Sequence, residues 1–212
     1  MPLTVRVFSR AEIETGAACG TDALISIRST SSRAPSRELD AAVAQAVLGD
    51  VEAILVLRFD DIGVPELGRQ TGPPDEQAAQ ALDFVRRLRA DQPDACLAIH
   101  CEKGRSRSAA IALGVLADEL GPAEEAEAVS RLLRTDLDSR MAPNPSLVSL
   151  LDGRLWRYGA LEAALAAASP SYVAAREHWQ RIAADPEGTK AWTAQRQQRR
   201  RNEYNQDGPG DW

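Results

Sequence analysis

The sequence predicts an α/β fold: a mainly parallel central sheet flanked by helices on both faces. Short apolar segments rich in β-branched residues are bounded by polar or glycine-containing turns, and segments with helical spacing of apolar residues lie between them. Strands that alternate with helices are typical of parallel sheets. Ligands of such sheets bind beyond the carboxyl ends of the strands, so polar residues that follow a predicted strand are candidate site residues.

Four segments have the character of strands. Two lie near the start of the chain, LTVRVFS at 3–9 and DALISIRS at 22–29. The other two, AILVLRF from Ala53 to Phe59 and ACLAIH at 95–100, are nearly uninterrupted apolar runs, which is typical of strands buried on both faces. The first of these two is followed directly by Asp60 and Asp61, and the second ends at His100 and is followed by Cys101. These residues carry the candidate chemistry.

Helices are predicted between these strands and after the last one. Ser36 is a suitable cap for the first helix, an APNPS turn at 142–146 precedes a longer helical region, and Gly153 and Gly159 are predicted to interrupt that region. The predicted helices cover residues 36–48, 78–90, 108–120, 122–133, 147–168 and 172–184. The glycine- and proline-rich segment 63–77 is predicted to be a long surface loop.

Length and composition indicate a single domain. The chain has 212 residues, of which 44% are hydrophobic and 26% charged, so we expect one catalytic domain over 1–184 and a polar tail over 185–212 that is disordered or loosely docked. The 25 basic and 31 acidic residues give a net charge of -6, which argues against general binding to nucleic acid or to an anionic membrane. Any bound anion must therefore be held by a local site.

The cysteines and the apolar runs bear on the compartment. Cys19, Cys96 and Cys101 are an odd number, which disfavours a disulfide-stapled secreted protein. The longest apolar run, from Ala109 to Ala117, is well short of the roughly 20 residues that a membrane span needs. The N-terminus has no uninterrupted apolar stretch of the kind found in a signal peptide. These features predict a soluble, cytoplasmic protein without a membrane span.

The sequence HCEKGRSRS at 100–108 connects a predicted strand to a predicted helix. The backbone N–H groups of such a loop converge, and the helix N-terminus adds positive potential, so the loop is suited to an anion. Gly104 permits a tight turn, and the planar guanidinium of Arg107 can hold two phosphate oxygens. The same field favours the thiolate form of Cys101, which is the nucleophilic form of the side chain.

This run resembles the HCxxGxxR[ST] loop of the cysteine-dependent protein tyrosine phosphatase superfamily, in which five residues separate the cysteine from the arginine. A second segment, APNPSLVSLLDGRL at 142–155, is similar to the PNxxF-type segment of dual-specificity phosphatases. The resemblance covers residues from Ala53 to about Leu155. It implies a protein tyrosine phosphatase-like fold and a phosphatase that needs neither a metal nor a cofactor.

The resemblance also implies a role for each residue of the loop. Cys101 would attack phosphorus to form a phosphocysteine, Ser108 would donate a hydrogen bond to the departing thiolate, and His100 would fix the loop through hydrogen bonds. The phosphoryl oxygens would be held by the Arg107 side chain and by the backbone N–H groups of the loop residues Glu102, Lys103, Gly104, Arg105, Ser106 and Arg107.

In this family an aspartate on a loop after an earlier strand protonates the leaving oxygen. Aligning AILVLRFDD with the family's strand end to end favours Asp61, and Asp60 stays an alternative. Both lie somewhat farther before Cys101 than is usual in the family, an excess that the 63–77 segment could absorb. Asn144 is interpreted as a turn or capping residue that acts on the site only by positioning the loop.

The predicted function is hydrolysis of a phosphomonoester through a phosphocysteine, most simply by a protein tyrosine or dual-specificity phosphatase whose loop also binds phosphate, sulfate or vanadate. Lys103 and Arg105 either face the substrate or are solvated or paired with nearby acids. If they face the substrate, phosphoinositides and inositol phosphates are alternative substrates. Two other classes are a rhodanese-like sulfurtransferase and an inactive phosphate-binding module. Cys96 is interpreted as a buried small hydrophobe. A reversible disulfide between Cys96 and Cys101 is left open, though the spacing does not demand it. Cys19 belongs to no recognisable motif.

Overall fold

A computed structural model describes residues 3–18, 20–30, 51 and 53–188 of the chain. The helix predicted at 36–48 lies outside these residues, as do Cys19 and the part of the predicted tail beyond residue 188. The described secondary structure is as follows: β1 Thr4–Ser9, α1 Arg10–Glu14, β2 Ala23–Arg28, β3 Ala53–Arg58, β4 Glu66–Leu67, β5 Gln70–Thr71, α2 Asp75–Asp91, β6 Cys96–Cys101, α3 Arg107–Leu120, α4 Glu125–Leu133, α5 Pro145–Arg154, α6 Ala160–Ala168 and α7 Pro170–Ala184.

The four longer strands form a parallel sheet in the order β1-β6-β2-β3. All four correspond to the strands predicted from sequence, and the α/β fold class is confirmed. Because the strands are parallel, their carboxyl ends lie at one edge of the sheet. The residues that follow β2, β3 and β6 therefore come together there, and this edge carries the candidate site.

Burial explains why these segments form the central strands. Every residue of β2 is buried, and β6 is almost completely buried, as expected for strands covered on both faces. On one face, Ile25 and Ile99 belong to the main core with Ile111 of α3. On the other face, Leu24 and Ala98 belong to a smaller cluster that includes Phe8 and Ile13 of α1. The central strands thus carry helices on both sides of the sheet.

The segment predicted as a loop at 63–77 contains more structure than expected. β4 and β5 form a short antiparallel hairpin, with Gly68 at a φ of 64° in its turn. The helix predicted to begin at Ala78 begins at Asp75, where Asp75 and Glu76 place negative charge on the helix N-terminus. Pro74 precedes the first turn, so the chain enters the helix from an extended residue.

Several helix boundaries also differ from prediction. Gly153 lies inside α5 and does not interrupt it; the break between α5 and α6 falls instead at 155–159, where Trp156, Tyr158 and Gly159 all have positive φ. The helix expected from Pro122 begins at Glu125, because Ala123 takes a φ of 71°. The five-residue helix α1 was not predicted, although its capping box, Ser9 with Glu12 three residues later, is visible in the sequence.

Candidate active site

The loop between β6 and α3 places Cys101 at the base of a turn that only glycine permits. Cys101 ends β6 and is 2% exposed, and its Sγ lies 3.2 Å from the hydroxyl of Ser108. Gly104 has a φ of 68°, and a Cβ there would lie 2.8 Å from backbone atoms of Phe8 and Ser9. The end of β1 therefore packs directly against the loop and fixes its turn.

Arg107, the first residue of α3, is buried and anchored on one side. Its Nη1 donates to the carbonyl oxygen of Phe59 at 2.9 Å and to the hydroxyl of Ser29 at 3.1 Å. Its Nε is buried and has no hydrogen-bonding partner among the described residues. The ends of β2 and β3 thus hold the guanidinium in place, and a buried donor remains for an anion.

Asp61 lies beside the loop although it is distant in sequence. Its Oδ1 accepts hydrogen bonds from the Ser106 hydroxyl at 2.6 Å and from Nδ2 of Asn144 at 3.1 Å. The residue is exposed, and within the described chain no hydrogen bond reaches its Oδ2. The structure therefore brings Cys101, Arg107 and Asp61 to one end of the sheet.

Asp60 has the opposite environment. It is 1% exposed, and its carboxylate accepts hydrogen bonds from the Thr71 N–H at 2.9 Å, from the Thr30 N–H at 3.2 Å and from the Thr30 hydroxyl. Its own N–H donates to the Thr71 carbonyl oxygen. Asp60 thus connects the end of β2 to the β4–β5 hairpin, and its oxygens face protein donors.

Asn144 takes a larger part in the site than the sequence indicated. It caps α5 through its Oδ1, which accepts from the Leu147 N–H at 3.1 Å, as the interpretation of a capping residue requires. Its Nδ2 also contacts residues 60–62 after β3, called the acid loop below, and donates to Asp61 and to the carbonyl oxygen of Ile62 at 3.0 Å. The only sequence signal was the N-cap pattern before Pro145, which predicts the cap and not the second contact.

His100 precedes the cysteine and is completely buried. Its pKa is lowered from 6.5 to about 4, mainly by burial and then by the positive charge of Arg28. The imidazole is therefore neutral at neutral pH. The resemblance implied that His100 fixes the loop through hydrogen bonds, yet neither ring nitrogen makes one of ordinary geometry with the described residues. Packing is the contribution that the structure shows for this side chain.

Lys103 and Arg105 are exposed residues of the loop and line an open cavity of about 670 Å³. The segment 135–141, which includes Arg140, lines the same cavity, as do the acidic side chains of Glu12 and Glu102. Neither Lys103 nor Arg105 forms an ion pair with another described residue. Both cations are therefore exposed and without an ion pair to the described part of the chain.

Cys96 is separated from Cys101 by the length of β6. The two residues are the first and last of this six-residue strand, and a strand rises about 3.3 Å per residue, so their Cα atoms are roughly 16 Å apart. A disulfide requires Cα atoms within about 7 Å. The disulfide left open by the sequence cannot form in this fold, and both thiols are free. Cys96 is also only half-buried, less than predicted.

The described residues contain no group of three or more histidine, cysteine, aspartate or glutamate side chains arranged to hold a metal ion. Over the same part of the chain, every helix is too short or too polar to cross a membrane.

Solved structures with a similar arrangement of elements come from phosphatase families. Tk-PTP in its active form has 14% sequence identity and a TM-score of 0.48 over 74% of this chain and 93% of its own. Human DUSP28 has 19% identity and a TM-score of 0.48 over 74% of this chain and 94% of its own. PTPMT1 in complex with PI(5)P has 15% identity and a TM-score of 0.46 over 74% and 93%.

No protein-family model matches the sequence, and no curated protein matches it. At the TM-scores above, the likeness carries no argument about activity. What this chain does is inferred from the residues of its own loop.

Proposed function

We propose that this protein is a cysteine-dependent phosphatase that hydrolyses phosphomonoesters through a phosphocysteine. The observation that carries the proposal is the meeting of three groups at one sheet edge. They are a buried thiol next to a hydroxyl, a buried arginine with one donor that no described residue accepts from, and an exposed carboxyl group beside the loop. Nucleophilic displacement at phosphorus needs a nucleophile, positive charge for the equatorial oxygens and a proton for the leaving oxygen.

In the first step the Cys101 thiolate attacks phosphorus, so that an S–P bond forms as the P–O bond to the leaving group breaks. The electron pair of that bond goes to the leaving oxygen, which takes a proton from Asp61. Arg107 and the loop N–H groups hold the other three oxygens. Because these donors are fixed before substrate binds, they stabilise the transition state without reorganisation.

In the second step water attacks the phosphocysteine. Asp61, now a carboxylate, accepts a proton from the water, an O–P bond forms, and the S–P bond breaks to return the thiolate and release phosphate. Ser108 lies within hydrogen-bond distance of Sγ and donates to the departing thiolate. No metal or cofactor takes part in either step.

Two observations favour this reaction over the other classes. A sulfurtransferase has no need of a carboxyl group beside the loop, whereas Asp61 is held there by two donors. An inactive binding module has no need of a nucleophile, whereas the thiol of Cys101 is free. A cyanide–thiosulfate assay tests the first alternative directly.

The primary test is Cys101→Ser with Cys96→Ser as its matched control, since both cysteines lie on β6 and only one is in the loop. We expect Cys101→Ser to lose hydrolysis of an aryl phosphate to background, and Cys96→Ser to keep it. Mass spectrometry of acid-quenched wild-type protein should show a phosphate adduct on the peptide that contains Cys101. Full turnover by Cys101→Ser would exclude the mechanism.

Two substrate classes are proposed. The first is a phosphoprotein, which follows from the resemblance of the loop to that of protein tyrosine and dual-specificity phosphatases. Lys103 and Arg105 line an open cavity and form no ion pair with the described residues. They favour inositol phosphates or phosphoinositides as the second candidate, because such ligands carry further phosphates that would need cations beyond the loop. A panel of phosphopeptides and inositol phosphates, assayed with wild type and Lys103→Ala/Arg105→Ala, separates them. A loss confined to the inositol phosphates supports the second candidate.

A further inference from the structure

The two donors to Asp61 come from different parts of the chain and bind the same oxygen. Ser106 is 45 residues after Asp61, and Asn144 is 83 residues after it. Both donate to Oδ1, and among the described residues Oδ2 has no donor. An oxygen that already accepts two hydrogen bonds is a poor place for a proton, so the acidic proton belongs on Oδ2.

The Ser106 hydroxyl does not cap the helix that it precedes. Ser106 occupies the N-cap position of α3, where a serine side chain normally accepts a hydrogen bond from the first turn and contributes about 1 kcal/mol. No such bond is present in α3. The hydroxyl instead donates to Asp61 at 2.6 Å. The contact to the acid loop has replaced a stabilising helix cap.

The Asn144 side chain has only one orientation that satisfies its contacts. Its Oδ1 must face the Leu147 N–H to cap α5, which turns Nδ2 towards Asp61 and Ile62. The residue is 1% exposed, and its own N–H donates to the Ser106 carbonyl oxygen at 3.3 Å. Asn144 therefore connects the acid loop and α5 to the loop between β6 and α3, called the phosphate loop below.

We infer that Ser106 and Asn144 are positioning residues for the general acid. Together they fix Oδ1 of Asp61, so that Oδ2 presents the proton to the leaving oxygen, and they hold the acid loop against the phosphate loop before substrate binds. This inference rests on the proposed phosphatase function. Two N-cap residues, Ser106 of α3 and Asn144 of α5, thereby take part in proton transfer by positioning the acid.

The test compares aryl phosphates whose leaving groups span a wide range of basicity. Ser106→Ala removes the hydroxyl, and Asn144→Ser keeps an oxygen for the cap while removing the amide donor. Because general acid catalysis contributes about 10²- to 10⁴-fold, we expect each variant to lose roughly tenfold or more in kcat/KM for poor leaving groups, and less than about threefold for good ones. Ser106→Thr keeps a hydroxyl and should therefore keep activity. Ser149 is an exposed serine on α5, so Ser149→Ala should match wild type.

A double-mutant cycle separates positioning from general damage. In an Asp61→Asn background the acid is already absent, so Ser106→Ala should cost little more. A loss of the same size for good and poor leaving groups, or an undiminished loss in the Asp61→Asn background, would overturn the inference. Urea unfolding of each variant shows whether the fold persists, and Ser106→Ala carries the test alone if Asn144→Ser does not fold.

The outcome for the reaction itself is separate. If Cys101→Ser retains turnover, the proposed function fails. If Cys101→Ser is inactive while Ser106→Ala and Asn144→Ser show no dependence on the leaving group, the function stands and the positioning role fails.

Discussion

At the scale of single residues, two neighbouring aspartates have different environments because of which elements surround them. Asp60 points into the junction of β2 with the β4–β5 hairpin, where Thr30 and Thr71 supply donors to its carboxylate. Asp61 is exposed beside the loop. One residue of difference in sequence thus separates a structural carboxylate from a candidate acid.

Substitution of each aspartate should therefore have a different effect. We expect Asp61→Asn to lower kcat about 10²-fold or more for poor leaving groups while leaving the free energy of unfolding nearly unchanged. Asp60→Asn should instead lower the free energy of unfolding by about 2 kcal/mol or more, since buried donors lose a charged acceptor. Steady-state kinetics and urea unfolding measure both. The reverse pattern would make Asp60 the acid.

His100 predicts a pH dependence of stability. Its pKa is about 4 in the folded protein and near 6.5 when unfolded, so between these values the unfolded chain binds the proton more readily. The stabilisation is complete above pH 6.5 and is lost as the pH falls towards 4, at up to about 1.4 kcal/mol per pH unit.

The measurement is urea unfolding at several pH values between 7 and 4. His100→Leu should flatten the dependence in this window, because the leucine does not titrate and His100 makes no hydrogen bond of ordinary geometry with the described residues. The other histidine of the chain, His178, is exposed, so His178→Gln should keep the wild-type slope. An equal slope in His100→Leu would contradict the prediction.

At the scale of elements, the loop between β6 and α3 depends on the end of β1. Gly104 is held in a left-handed conformation with the backbone of Phe8 and Ser9 where a side chain would begin. The Arg10 N–H also donates to the Glu102 carbonyl oxygen, which ties the first turn of α1 to the same loop. The unpredicted helix α1 is therefore part of the frame of the site.

Gly104→Ala should distort the loop. We expect a large loss of kcat/KM and a lower free energy of unfolding, because the Cβ would meet backbone that cannot move away without shifting β1. Gly68→Ala is the matched control: its φ of 64° imposes similar strain, about 1–2 kcal/mol, but nothing lies within 4 Å of the added Cβ. Kinetics and thermal unfolding of both variants check this. Equal kinetic effects of the two substitutions would count against a role for the close approach.

At the scale of the whole molecule, the site joins three strands of the sheet. Cys101 ends β6, and Arg107 contacts Ser29 after β2 and Phe59 after β3. A ligand held by Arg107 is therefore coupled to the global fold. An anion that binds only the folded state should stabilise all of it.

Orthovanadate should raise the midpoint of thermal unfolding. At 100 times its Kd a ligand adds about 2.7 kcal/mol to the free energy of unfolding. The shift with orthovanadate should disappear in Arg107→Ala. Sulfate should still raise the midpoint of Cys101→Ser, because this variant keeps the anion site without the nucleophile. A shift of equal size in Arg107→Ala would place the anion elsewhere.

The sequence by itself determined the four strands, the fold class and the residues from Cys101 to Ser108, because these depend on local patterns: uninterrupted apolar runs, a strand-to-helix junction and a fixed spacing from cysteine to arginine. The capping box of α1 is an equally local pattern. The tertiary structure decided which aspartate faces the loop, why Asn144 matters and that Cys96 cannot reach Cys101. These features join residues up to 83 positions apart or depend on the direction of a strand. Such contacts exist only once the elements have packed, and no local pattern encodes them.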